Sequence, residues 1–325
     1  NLNQIKITKK KISKAFPDVV NHTENILFRT APAPMYLLSK EVNKKGHKVV
    51  FSGEGADEIL YGYDIFFENR IRHFWNKDVK SKMRPLLFKK LYKYLPQFKN
   101  SRYFEMIKDF YKVNLKKTDS IFFSHFVRWQ QYDFVNKFFN LPNKDYNINK
   151  EYNILKSTIP KKFKSLITDK KAQYFEINTL LSNYLLSSQG DRMTMAHSVE
   201  GRYPFLDEDF SKFVSKIPTN QLAPTIKSKL LFRNSFKNKI SNQLVFRPKI
   251  AYQAPEARSF IGHNYLSLEG EEFIENLNFI DEHINKKNFS SLIKKFQDKY
   301  SSERLGFREN MVFIMGISLF FLKKK

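Results

Sequence analysis

The chain has 325 residues, enough to bury a large core as one big domain or two. It contains no cysteine, which excludes disulfides, thiolate zinc sites and a cysteine nucleophile within it. Its 57 Lys and Arg against 32 Asp and Glu give a formal charge of +25, but the lysines are spread over the whole length and no nucleic-acid recognition motif accompanies them.

Residues 1–23 are basic and polar with a proline at position 17, and read as a linker or a frayed helix, set apart from a single domain over 24–325. No apolar run follows the basic start, so no signal peptide is expected. The first residue is Asn1 rather than Met, so the sequence is expected to be a piece of a longer protein. Pro32 and Pro34 punctuate the approach to an amphipathic helix over Met35–Lys44, which Gly46 would stop. Val49, Val50 and Phe51 then read as a short strand covered on both faces. Ser52-Gly53-Glu54-Gly55-Ala56-Asp57-Glu58 reads as a tight loop, with helix from Ile59 onwards. Helix, strand, loop and helix in that order are one step of an α/β domain. The loop has two readings. It is an ordinary turn with acidic residues capping a helix. Or it is a ligand loop whose carboxylates, which would repel phosphate by themselves, work with a bridging cation such as Mg²⁺ or in catalysis.

From 59 to 170 the chain is rich in Phe, Tyr and Lys, and prolines 85, 96, 142 and 160 cut it into pieces of helix length. The Asn-rich stretch 140–153 reads as a loop. Residues 171–188 form an amphipathic helix. Behind it, Asp191, Arg192, Glu200 and Arg202 lie among core-like Met, Val, Phe and Leu. Charges in such company must pair or meet a charged ligand. Glu200 and Arg202 are read as pairing with each other, and Asp191 and Arg192 as facing a substrate. His197, between apolar residues, reads as a packed core histidine. The seven histidines show no metal-binding spacing. Asp207 begins a helix that Pro218 ends, and Pro248 stiffens an extended loop that can hold Lys249 in place. The apolar tail 312–322 is too short to span a bilayer and reads as a buried helix.

Four segments in order carry a resemblance. SGEGADE at 52–58 resembles the SGEG(S/A)DE loop of the synthetase domain of glutamine-hydrolysing asparagine synthetases. FRTAPAPMYLLSK at 28–40 is similar to that family's IRAS-x-PMYLLS element. DRMTMAHSVEGRYPFLD at 191–207 resembles its DR-x-(S/T)-MAHS-(V/L)-E-x-R-x-PFLD signature almost residue for residue. RPKIAYQAP at 247–255 resembles its RPK-x-x-(F/Y)-x-AP loop. Weaker likenesses are KSKLLFR at 227–233, where the family brings basic side chains towards the site, and Glu309-Asn310-Met311 before the last helix.

The resemblance implies a helix-rich α/β fold with few parallel strands, part of a PP-loop ATPase domain of the adenine-nucleotide α-hydrolase type. It implies a cytoplasmic ligase that amidates a carboxylate, aspartate above all, through an acyl-adenylate, with ATP, Mg²⁺ and ammonia drawn from glutamine. By the same carry-over, Ser52 and Gly53 offer backbone N–H groups to the nucleotide phosphates and Asp57 holds Mg²⁺. Lys249 neutralises charge in the adenylation step and Glu54 takes a proton. Arg29 and Met35, with Asp191 and Arg192, are candidates on the substrate side. Arg29 and Met35 read equally well as a surface arginine and a core methionine. The family's SGG-x-DS loop and its glutaminase part do not occur in the sequence. Three explanations stay open: a partial sequence, a split enzyme whose partner supplies the rest, or a relative kept as a scaffold. A relative that closes a β-lactam ring, or that amidates another acid in a natural-product or surface-sugar pathway, would share the same motifs. A basic nucleic-acid-binding protein is the alternative from another class.

Overall fold

The computed structural model describes residues 2–92, 95, 100–130, 132–140, 148–247, 252, 254–262, 264–298 and 306–325. The chain opens with helix α1, Lys9–Thr23, capped by the Thr8 side chain accepting from the Lys11 N–H. Ile12, Phe16, Val19, Val20 and Thr23 recur at helical spacing between the lysines, and all are buried. The expected linker or frayed helix is therefore, over 9–23, a packed core helix. The lysines around those apolar positions occupy its solvent face and hid the pattern.

Helix α2, Pro32–Lys44, follows with a proline at its first turn. Gly46, at φ +78°, ends it as expected. Strand β1, Val49–Phe51, pairs in parallel with strand β2, Glu200–Arg202, so that Val49 faces Glu200 and Phe51 faces Arg202. The expectation of a strand buried on both faces fails. Val49 is 44% and Phe51 80% exposed. Among the described residues β1 has one neighbouring strand, so neither its far edge nor the face carrying Phe51 is covered. A second small sheet pairs β3, Ile261–Gly262, antiparallel to β4, Tyr265–Leu266.

The rest is helical. After a single turn, α3 (Ala56–Ile59), the chain breaks at Tyr61, which has φ +56°, and restarts in α4, Asp64–Asn76. The continuous helix expected from Ile59 is thus interrupted. The middle region holds helices such as Ser101–Lys112, with lysine-bearing outer faces, and residues 148–153, expected as loop, belong to the helix Ile148–Ser157. A long rod runs from Thr168–Phe175 through a π-helical segment, Glu176–Asp191, into Arg192–Met195. It contains the helix expected over 171–188. Asp207 caps the helix Glu208–Lys216, as its sequence position suggested. The apolar tail is the helix Phe307–Lys324, and no described helix is long and apolar enough to cross a membrane.

Among the described residues three apolar clusters form. The largest joins α1 and α2 with the helices Leu268–Glu275, Lys286–Asp298 and Phe307–Lys324. A second gathers around α4, with Phe66, Phe67, Trp75 and Phe88. The third is aromatic: Phe122, Phe163 and Phe175. The rod contributes Ala172 to the second, Phe175 to the third and Met193 to the first. Each fully buried Phe contributes about 1.5–3 kcal/mol relative to exposure. A single rod anchored in these clusters fixes where Asp191, between its anchors Phe175 and Met193, emerges.

Candidate active site

β1 delivers the loop at 52–55. Ser52 prolongs the strand: its N–H donates to the Arg202 carbonyl at 2.8 Å. This corrects the expectation for Ser52, whose backbone donor is committed to the sheet and is not available to a phosphate. Gly53 is open, with nothing within 4 Å of where a Cβ would stand, and its carbonyl accepts from the Ala56 N–H at 3.3 Å. Gly55 has φ +86°, and a Cβ there would come 2.2 Å from Leu206 Cδ2, so only glycine fits this turn. The loop is thereby held against the PFLD segment of the 191–207 signature.

Three carboxylates stand together here. Burial, then the neighbouring Asp57, pushes Glu54 above the usual carboxylate range. Glu58 is 1% exposed, and burial raises it to about 7 against the lowering effect of a hydrogen bond from Tyr63. Asp57 meets Lys229, whose Nζ lies 3.0 Å from its Oδ1. Of the basic residues at 227–233, Lys229 thus reaches the loop. Their oxygens are hard donors of the kind a divalent cation takes, and burial first, then neighbouring carboxylate charge, raises two of the three. Among the described residues no cluster of three or more metal-ligating side chains is preformed, so such an ion would take its remaining ligands from a bound substrate or water.

Lys249 lies outside the described residues. Its flanks do not. The carbonyl of Arg247 accepts from Arg233 Nη1 at 2.9 Å, and the Tyr252 hydroxyl donates to the Ala31 carbonyl at 3.1 Å. Tyr252 is pushed up to about 12 by burial, then by Glu256, then by Glu54. Glu54 thus acts electrostatically on Tyr252, three residues past Lys249 in sequence.

The other candidates divide. Asp191 accepts from the Tyr203 hydroxyl at 2.6 Å, and Glu54 also acts on that phenol, so Asp191 belongs to the site. Arg192 does not share it. Its guanidinium donates to the Thr23 carbonyl at 2.7 Å and reaches Glu24 at 3.3 Å, which ties the rod to the end of α1. Arg29 lies over the Phe307 ring at 5.0 Å and acts electrostatically on Glu256 and Tyr184, so it borders the Tyr252 side. Met35 packs on the largest core cluster, as a core methionine would. Glu200 and Arg202 pair at 2.8 Å as expected, although both are about half exposed on β2 and not buried. His197 packs on Tyr36 with ring centroids 4.3 Å apart. Sequence reasoning counted Glu58 among the loop's carboxylates without giving it a role of its own, and missed Tyr203 and Tyr252. The signal for Tyr203 was its place inside the best-matched motif, at a variable position.

A family profile described as asparagine synthase matches residues 1–318. Over 282 residues the chain is 27% identical to asparagine synthetase (glutamine-hydrolyzing) 1 of Bacillus subtilis, covering 85% of this chain and 40% of that protein. It is 24% identical over 304 residues to amidase chry2 of Gibberella zeae, covering 86% of this chain and 43% of that protein. A probable asparagine synthetase of Dictyostelium discoideum is 47% identical over 57 residues, 17% of this chain and 10% of the relative. The chain spans about two fifths of the first two relatives' length. With the profile running over nearly all of its residues, the chain belongs to the asparagine synthase family.

Proposed function

We propose that this chain carries the part of an ATP-dependent amidoligase site that activates a carboxylate and passes it to ammonia, with aspartate as the acid and glutamine as the nitrogen source. The observation that carries the reading is the meeting of the acidic turn with a cation from a distant part of the chain: Lys229 Nζ lies 3.0 Å from Asp57 Oδ1, beside Glu54 and Glu58. In the proposed reaction a carboxylate oxygen attacks the α-phosphorus of ATP, and pyrophosphate leaves. Ammonia then adds to the acyl carbon, and AMP leaves as the amide forms. Both steps load negative charge onto oxygen, which cations at fixed positions stabilise. Lys249 and Lys229 are the cations assigned to this work. Asp57, with Glu54 beside it, would hold Mg²⁺, which when bound offsets the charge of the leaving pyrophosphate. Glu54, half-buried and raised by its surroundings, is suited to take the proton that the attacking nitrogen sheds. The PP-loop that would grip the rest of the nucleotide, and the glutaminase, are assigned to other parts of a longer protein or to a partner chain. The cytoplasm is the compartment proposed.

The test is ATP–pyrophosphate exchange by the full-length or complemented protein, with aspartate against a panel of other acids. Aspartate-dependent exchange that Lys249→Ala abolishes supports the reading. Exchange that ignores aspartate but follows another acid moves the assignment to a different amidotransferase, a direction that the amidase-named relative favours. No exchange with any acid removes adenylation altogether.

A further inference from the structure

Tyr203 leaves strand β2 and folds back over it. A Cβ on Gly201 would come 2.6 Å from the Tyr203 hydroxyl, and one on Gly190 would come 3.0 Å from it. The phenol thus occupies a slot that two glycines, one on the strand and one on the rod, leave open. At the end of that slot its hydroxyl donates to Asp191 Oδ1 at 2.6 Å. The same phenol stands within the electrostatic reach of Glu54. Burial, Asp191 and Glu54, in that order of size, all disfavour its ionised form, so it remains a hydrogen-bond donor across the physiological range.

We propose that Tyr203 is a positioning residue for Asp191, locking that carboxylate so that its other oxygen faces a donor group, an ammonium or N–H, on the carboxylic acid substrate beside Glu54. The inference rests on the amidoligase reading for the word substrate; the Tyr203–Asp191 pair itself does not. Asp191 lies on the exposed side of the rod, where a carboxylate otherwise turns freely between rotamers. A short hydrogen bond to an ionised acceptor removes that freedom. An ordering role explains why room is made on two separate backbones for one ring. Filling an outer slot would not require the hydroxyl to end on a carboxylate.

Two measurements test it. In the full-length protein, Tyr203→Phe is expected to raise KM for the acid about tenfold, the loss of one charge-assisted hydrogen bond, with kcat within about threefold and KM for ATP unchanged. The same substitution is expected to add nothing in an Asp191→Asn background. An unchanged acid KM, or an equal effect in that background, overturns the role. The second measurement needs no turnover. Fluorotyrosine is placed at position 203, and its ionisation is followed by fluorine NMR with and without Asp191→Asn. The midpoint is expected to fall when the charge is removed, and an unmoved midpoint overturns the pairing. A midpoint that falls in a protein that activates no acid sinks the amidoligase reading and leaves the pairing standing.

Discussion

Lys229 Nζ lies 3.0 Å from Asp57 Oδ1, and the lysine that makes this contact has φ +52°. Its backbone N–H donates to the carbonyl of Tyr61, itself at φ +56°. Two residues in a region that β-carbons disfavour are thus joined to aim one cation at the acidic turn. Both side chains keep about a quarter of their exposure, so the pair contributes at most ~1 kcal/mol to stability. Lys229→Met is therefore expected to move the melting temperature by only a few degrees. Acid-dependent pyrophosphate exchange should fall about 100-fold, the size seen when one charge-stabilising donor is removed from a reacting centre. Parallel melting curves and exchange rates check this; full exchange in the variant would make the contact purely architectural.

Glu58 sets a pH dependence. Its folded pKa of about 7 lies above the ordinary carboxylate value, so between roughly pH 4.5 and 7 the folded chain holds a proton that the unfolded chain has released. This contribution to stability is complete below pH 4.5 and is lost as pH rises through 7. Glu58→Gln keeps the shape and cannot ionise. Its stability is expected to fall less steeply across that window, and at pH 8 to exceed that of the parent by up to about 3 kcal/mol. Urea unfolding at pH 5 and pH 8, without divalent ions, compares the two slopes. Parallel curves would place the ionisation elsewhere.

Arg72 holds the middle of the chain together. It is 1% exposed and donates to the carbonyls of Tyr111 at 3.0 Å, Phe123 at 2.5 Å and Val113 at 2.8 Å, while its guanidinium lies 4.1 Å from the Phe123 ring centroid. Arg72→Met leaves three acceptors without a donor and is expected to cost about 3–5 kcal/mol, enough to lower soluble yield sharply. Arg72→Lys keeps the charge but loses the planar fork, and should fall between the two. Chemical denaturation orders the three.

Gly55→Ala tests the seat of the loop. A side chain at φ +86° costs about 1–2 kcal/mol by itself, and the collision with Leu206 adds to it. In a Leu206→Ala background only the backbone cost should remain, so the glycine substitution should be less harmful there. A double-mutant cycle on thermal stability measures the difference. Strict additivity would mean that the leucine moves aside unaided.

The local elements that sequence showed well are those whose signal is local. Gly46 ending α2, Asp207 capping its helix and the apolar Phe307–Lys324 helix depend on a few neighbouring residues. What escaped depends on the rest of the chain. Val49 and Phe51 look like the inside of a sheet, yet whether a β-branched run is covered is decided by partners that the run does not specify. The core face of α1 was masked by its lysines. In the candidate site, motif resemblance pointed to Glu54, Asp57 and Asp191; the first two share one turn, and the Tyr203 hydroxyl that donates to Asp191 also feels the Glu54 charge. It could not show that Arg192 turns away to α1, that the Ser52 N–H is spent on the sheet, or that Tyr203 and Tyr252 both feel the Glu54 charge. Those are matters of direction, which residue type does not encode.

The rod from Thr168 to Met195 has a mechanical consequence. Because one stiff member is bolted to these three apolar clusters, loosening any of them changes how Asp191, held between Phe175 and Met193, is carried. A slack aromatic box around Phe175 would release one of the two anchors that flank that carboxylate. Tuning of the site can thus come from substitutions buried far from it.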